Sequence, residues 1–307
     1  MRQLAVTIDV DPLWVYRGIH GVVAEPIAPD VDPIYTIALP RFFELLASPA
    51  TPATLFVVGR DVGGAASALT SALALEHELA SHSYSHDHSI SKWSRERIAE
   101  DLDLSKHALE ALGAAVRGFR APGYNVSEEL LTEVMERGWY DSSLLPAPGY
   151  FVARGAVLAS YKLRGAKSHS RLGDPRQFGG PLHPYRTIPW HAWKPVPVGR
   201  LVELPMSVDP LTRIPLFGTS LSTLPRAFLA GALERLAKLD DAVIELHAID
   251  FLDSTDHPAL TVLSRHQPDL RVPYREKESR YRSALATLRR GAVVTTLGRM
   301  ASRVASR

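Results

Sequence analysis

The sequence predicts a single α/β domain assembled from repeated strand–helix units. Short apolar runs alternate with segments of helical period along most of the chain. A length of 307 residues suits one large core, and barrel or other α/β architectures of this size often form one domain. The most reactive polar side chains fall at the ends of successive candidate strands, where barrel-like β/α folds build their sites.

Seven runs carry strand character: 4–10 (LAVTIDV), 53–59 (ATLFVVG), 78–83 (ELASHS), 116–122 (VRGFRAP), 201–208 (LVELPMSV), 242–250 (AVIELHAID) and 293–297 (VVTTL). Five segments of period near 3.6 predict helices over 37–48, 94–113, 127–138, 224–239 and 275–291. The second opens on Ser94, a good N-cap, and closes on Gly113. Two stretches lack clear periodicity. Residues 12–33 follow the first strand, and residues 147–200 are dense in Pro, Gly, Arg and aromatics, which predicts an irregular insertion in the single domain 1–307.

Composition excludes several classes. Without Cys there are no disulfides, no thiolate nucleophile and no Cys-ligated zinc, so His, Asp and Glu remain as metal ligands. A net charge of +2 is too small to argue for nucleic acid. No run of about 18 apolar residues predicts a membrane span. The N-terminus meets Asp9 before a secretory h-region forms, which predicts a cytoplasmic protein. The C-terminal tail is rich in Arg and free of acid; it has the charge to rest on the inner face of a membrane, and a solvated last helix is the simpler reading. The sparsely charged segment 207–231 poses the same choice, with barrel packing the simpler reading.

Four of the twelve histidines lie within residues 77–89, HELASHSYSHDHS. The His82–His86 spacing brings two imidazoles to one side of a helical turn or tight loop, and two His plus one carboxylate is a common divalent-metal set. The alternative is a polar loop with a hydrogen-bonded His pair. Asp9 and Asp11 in TIDVD lie two apart at a strand end, so their carboxylates point the same way and repel unless a cation or proton lies between them. A solvent-exposed pair is the alternative there. Arg120 in FRAPGY precedes Pro122 and Gly123, which end a strand sharply and let backbone approach a ligand. It is placed to pair with Asp9, to bind substrate or simply to be solvated. His247 in ELHAID ends a strand of buried character, a place for a satisfied core His or, alongside the other strand ends, for a catalytic one.

Taken together these motifs resemble the NodB-type polysaccharide deacetylases, carbohydrate esterase family 4, over about residues 4–251. That family has a distorted (β/α)7 barrel with five short motifs in fixed order. TIDVD is similar to its T-F-D-D-G, which implies Asp9 as general base and Asp11 as metal ligand. HSYSH fits H-[ST]-x-x-H and implies His82 and His86 as the other ligands. RAPGY resembles R-x-P-Y, with Arg120 orienting the base. Gly123 stands where Tyr is usual, so its N–H is the implied oxyanion donor and Tyr124 comes one place late. DSSLLP resembles D-x-S-x-x-W with Asp141 and Ser143 kept and Pro146 replacing Trp. ELHAID implies His247 as general acid, with Asp141 as its expected partner.

The implied chemistry is metal-dependent hydrolysis of an N-acyl group, most simply N-acetyl, from an amino sugar or glycoconjugate. An amide needs a Lewis acid at its carbonyl and a metal-bound water as nucleophile. Zinc is the default for two His and one Asp; cobalt, nickel and manganese take the same ligands. Trp14, Tyr16, Trp93, Tyr124, Trp190 and Trp193 lie in or beside loops able to ring the strand ends, with about two of them expected to touch substrate. The absence of a secretory signal favours an intracellular N-acetyl or N-formyl sugar, free or lipid-linked. The competing readings are hydrolysis of another C–N bond, as in deformylase, allantoinase-like or imidase-like relatives, and a sugar-binding relative without turnover.

Overall fold

The structure is a computed structural model that describes residues 1–163 and 174–307. Nine strands, β1 (Arg2–Val10), β2 (Ala53–Val57), β3 (Glu78–Ser81), β4 (Gly118–Phe119), β5 (Tyr140–Asp141), β6 (Tyr185–Thr187), β7 (Leu201–Glu203), β8 (Asp241–His247) and β9 (Ala292–Thr295), form one sheet among the described residues. Its order is β6-β7-β5-β4-β3-β2-β1-β8, parallel except for the β6–β7 pair. β1 is the hub, pairing with β8 through residues 3–9, with β2 through 6–10 and with β9 through 2–5. The segment after β7 curls the sheet closed, since Leu204 N–H donates to Asp141 O and Ser207 N–H to Val243 O on β8, both at 2.9 Å. The result is the distorted β/α barrel that the sequence implies.

Side-chain alternation along β1 assigns the two faces. Leu4, Val6, Ile8 and Val10 pack outward against the helical layer, whereas Ala5 belongs to the inner cluster and Asp9 lies on its parity. Such near-continuous burial is what a parallel strand covered on both faces requires. In register, Asp9 lies beside Phe56 of β2 and His247 of β8, so the inward row of three neighbouring strands converges at one level.

The helices are α1 (Leu13–His20), α2 (Leu39–Ala47), α3 (Ala66–Ala74), α4 (Arg95–Glu110), α5 (Glu128–Glu136), α6 (Pro148–Leu163), α7 (Gly218–Thr223), α8 (Arg226–Leu236), α9 (Pro258–Leu263), α10 (Tyr274–Arg289) and α11 (Leu297–Ala305). Ser94 caps α4 as expected, accepting the Arg97 N–H. α11 is the last helix but is not a solvated one. It buries Leu297, Met300, Ala301 and Val304 in the inner cluster with Ala5, Phe56 and Val243, and Arg303 pairs with Asp241. Its apolar stripe is therefore occupied by the barrel. Emptying the Met300 side chain to Ala there costs about 2–5 kcal/mol. The 207–231 segment likewise buries Val208, Leu216, Leu221 and Leu229 in the fold.

Two irregular stretches prove partly ordered. Residues 12–33 contain α1, which buries Leu13, Val15 and Tyr16 and ends on Gly21 in the left-handed conformation. In the predicted insertion 147–200, α6 begins at Pro148 and β6 pairs with β7. Helix-weakening Gly149 and Gly155 obscure α6 in the sequence. Tertiary packing restores it, with the Phe151 ring stacked on Phe178 at 4.0 Å. Residues 164–173 of the insertion lie outside the described residues. The predicted strand 116–122 shortens to β4, because Arg120 to Tyr124 turn out of the sheet.

Candidate active site

At the C-terminal ends of the strands lies a cavity of about 390 Å³ lined by Asp9, Asp11, His82, His86, Gly123 and His247 among others. Asp11, His82 and His86 form its metal-ligand candidate, with ligand atoms within 4.8 Å of one another. His82 Nε2 and His86 Nε2 lie 3.4 and 3.1 Å from Asp11 Oδ1. Ligand atoms around a tetrahedral ion with bonds of about 2.1 Å sit roughly 3.4 Å apart, so these spacings fit. Asp11 Oδ1 and His86 Nε2 are buried yet make no directed hydrogen bond, which is what ligand atoms leave open. Burial opposes ionisation of Asp11, but the His86 and His82 rings hold its carboxyl well below the usual range.

The HSYSH loop is a tight turn rather than a helix. Ser83 and His86 both take left-handed φ, at 62° and 50°. Asp101 of α4 pins the loop by accepting the Tyr84 and Ser85 N–H groups at 2.8 and 3.0 Å, and Ser83 Oγ accepts the His86 N–H. His82 Nδ1 lies 2.8 Å from Arg120 O; as the donor there it directs Nε2 toward Asp11. Trp14 meets the His86 ring edge-on at 6.2 Å and donates to Asp61. Asp101, Asp61 and Trp14 thus orient the histidines.

Arg120 is fully buried and does not line the cavity. Its Nη1 donates to Asp9 Oδ1 at 2.5 Å and to Thr7 Oγ1 at 3.1 Å, while Nε and Nη2 donate to Ser142 O and Oγ. Of the three roles open to it, the structure selects pairing with Asp9. Asp9 Oδ2 remains toward the cavity, 3.8 Å from His82 Nε2 and 3.9 Å from His247 Nε2.

His247 is not partnered by Asp141, contrary to expectation. Asp141 instead accepts from Ser143 Oγ and faces Glu203 of β7, with which it is in register. Burial pushes both carboxyls up, Glu203 well above its ordinary value, as two adjacent buried acids cannot both ionise cheaply. Ser143 Oγ in turn accepts the Ala121 N–H, so Asp141 braces the loop that carries Gly123. The carboxylates near His247 are Glu245, at 4.0 Å, Asp9 and Asp250. Burial alone would lower the imidazole, but these three together with Asp11 outweigh it and push His247 up to about 9. Asp250 also accepts the His247 backbone N–H at 2.7 Å.

Glu245 is the functional-site residue the sequence reading missed. It is buried two residues before His247 on the same face of β8, a period-2 signal that was available. Tyr124 Oη donates to its Oε1 at 2.8 Å, and Arg120 lies 3.7 Å away. Burial raises Glu245 to about 7 against the pull of Arg120. The displaced Tyr is thereby explained. Gly123 and Tyr124 both adopt positive φ, 59° and 64°, which turns the Tyr124 hydroxyl to Glu245. A Cβ at Gly123 would also sit 2.7 Å from His88 Nδ1.

Tyr150, Ala153, Arg154 and Val157 of α6, with Tyr16 and Ile19 of α1, complete the cavity wall. Tyr16 and Tyr124 are the two expected aromatics that reach it; Trp93 stacks under Arg97, and Trp193 under Arg176.

The family model for polysaccharide deacetylase matches residues 26–140, a span that holds the HSYSH and RAPGY segments and stops before Asp141 and His247. Among solved structures, one from Mycobacterium smegmatis assigned to the polysaccharide deacetylases is 20% identical, covers 99% of this chain and 90% of its own, and has a TM-score of 0.61. A family 4 acetyl xylan esterase from Clostridium thermocellum with a cobalt ion is 14% identical, with 98% and 91% coverage and a TM-score of 0.47. A family 4 pseudoenzyme from Bacillus anthracis is 14% identical, with 86% and 61% coverage and a TM-score of 0.42. No curated protein matches the chain. With the family model matched across β2 to β5 and the barrel fold shared with the Mycobacterium smegmatis structure, the chain is similar to the polysaccharide deacetylases of carbohydrate esterase family 4.

Proposed function

We propose that this protein is a metal-dependent hydrolase that removes an N-acyl group, most simply N-acetyl, from a small amino sugar or the end of a glycoconjugate. The observation that carries the reading is the division of Asp9: one oxygen is tied to Arg120 and the other faces His82 and His247. A divalent ion held by Asp11, His82 and His86, zinc by default or cobalt, nickel or manganese, supplies a Lewis acid and an acidified water there.

The chain's own groups supply the remaining steps. Asp9 Oδ2 receives the proton of the attacking water, while Arg120 on Oδ1 keeps the carboxylate ionised. The Gly123 N–H faces the oxygen that gains charge as the acyl carbon becomes tetrahedral. His247, held protonated by its carboxylate neighbours, delivers a proton to the leaving amine. The α6 wall and the cavity size favour a compact ligand over the middle of a polymer chain. No helix of the described residues is long and apolar enough to cross a membrane.

The test is elemental analysis with an acetate-release assay on N-acetylhexosamines. One metal per chain, lost with turnover in His82→Ala/His86→Ala, is expected. Asp9→Asn keeps the metal and loses roughly 10²–10⁴-fold in kcat. A metal-free protein that refuses zinc and cobalt, or a metal-loaded one that releases no acyl group, overturns the reading.

A further inference from the structure

We propose that His88 is a second hydrogen-bond donor to the acyl oxygen of the substrate, beside the Gly123 amide. The inference rests on the N-acyl hydrolase reading above and adds a catalytic residue to it.

His88 is only 7% exposed, and neither of its ring nitrogens has a hydrogen-bond partner among the described residues. A buried polar group left unpaired is costly, so a ring with two asks for a partner that the described residues do not provide. Its position identifies that partner. The ring lines the same cavity as Asp11, His82, His86 and Gly123. It meets His86 edge-on at 5.2 Å, and its Nδ1 would lie 2.7 Å from a Cβ at Gly123. The donor therefore borders both the candidate metal ligands and the loop that carries Gly123, the proposed oxyanion donor.

Two further features argue for a ligand contact over metal binding or packing. His88 falls outside the set of ligand atoms that cluster within 4.8 Å. Its backbone is anchored, since Asn125 Nδ2 donates to His88 O and to Pro122 O, both at 3.3 Å, joining the two loops that carry His88 and Gly123. The guanidinium of Arg154 donates to Gly123 O at 3.1 Å and lines the same cavity, fixing the Gly123 loop beside the ring. The imidazole has an N–H to donate, and that proton stays on the ring throughout. As the acyl oxygen becomes an oxyanion, the bond strengthens, so the contribution falls on kcat more than on KM.

The experiment compares cobalt-loaded wild type, His88→Leu and His88→Gln as full chains. It reads cobalt content and absorption spectrum, kcat and KM on N-acetylglucosamine, and acetohydroxamate affinity from the spectral change. His88→Leu should keep one cobalt and its spectrum, lose on the order of 10²-fold in kcat with little change in KM, and bind acetohydroxamate at least about tenfold more weakly. His88→Gln should recover part of both losses. Loss of cobalt or a changed spectrum in His88→Leu would make the residue a ligand and overturn the proposal. Unchanged kcat and hydroxamate affinity in folded, cobalt-loaded His88→Leu would reduce it to packing. Should wild type release no acetate, the hydrolase reading fails separately, and the hydroxamate titration still decides the role of His88.

Discussion

Arg120 and Asp9 form a fully buried ion pair in which Nη1 meets Oδ1 at 2.5 Å and leaves Oδ2 to the cavity. Taking one partner from such a pair strands the other, at about 3–5 kcal/mol. Arg120→Met is therefore expected to lower the urea midpoint sharply. Arg120→Lys keeps the charge but loses the fork that also reaches Ser142 O and Oγ. It should hold more of the stability while kcat still falls on the order of tenfold or more, because Asp9, the proposed base, is no longer aimed. Measuring both parameters separates the roles; wild-type kcat in a folded Arg120→Lys protein would remove Arg120 from the orientation of the base.

Glu245 makes a second prediction through His247. Burial lowers the imidazole and the surrounding carboxylates, Glu245 foremost, raise it to about 9. If His247 acts as the acid, activity needs its protonated form and declines as pH rises through that value. Replacing the neighbouring charge by Glu245→Gln removes a raising influence, so the alkaline limb of kcat/KM should move to lower pH. Tyr124 Oη can still donate to the amide oxygen, which limits collateral damage. An alkaline limb that stays in place in this variant would show that the limb belongs to another group.

These two residues also mark what the sequence could and could not show. The grouping of Asp9, Asp11, His82, His86 and His247 around one cavity, with Arg120 behind Asp9, is legible because strand ends fall one after another along the chain and motif order follows barrel order. Asp141 was misassigned as the partner of His247 because motif order does not specify which carboxylate faces which imidazole. The β5–β7 register sets Asp141 against Glu203 instead. The period-2 alternation of β8 places Glu245 on the face of His247, a relationship carried by the sequence itself. α6 was hidden for a different reason, since its glycines weaken local propensity and its order comes from aromatic packing remote in sequence.

His77, outside the site, gives the fold a pH dependence of its own. Burial pushes this imidazole down to about 4, where its ordinary value is 6.5. Its Nδ1 accepts the Ala53 N–H at 3.2 Å, and its ring stacks on Phe43 at 5.4 Å. Protonation would remove that acceptor and place a charge against the ring. In the unfolded chain the group binds its proton from about pH 6.5 downward, and in the folded chain only near 4. The unfolded state therefore holds more protons between those values, and stability must fall as pH drops through them. The contribution is complete above pH 6.5 and amounts to about 2 kcal/mol after allowance for solvent screening. His77→Gln retains an acceptor without a titrating group and should flatten the urea midpoint between pH 6.5 and 4. The flattening is partial, because His20, stacked on His266 at 5.1 Å, is also pushed down to about 4 by burial and by that neighbour. An unchanged slope in His77→Gln would assign the acid sensitivity of this range to other buried imidazoles, His20 and His88 among them.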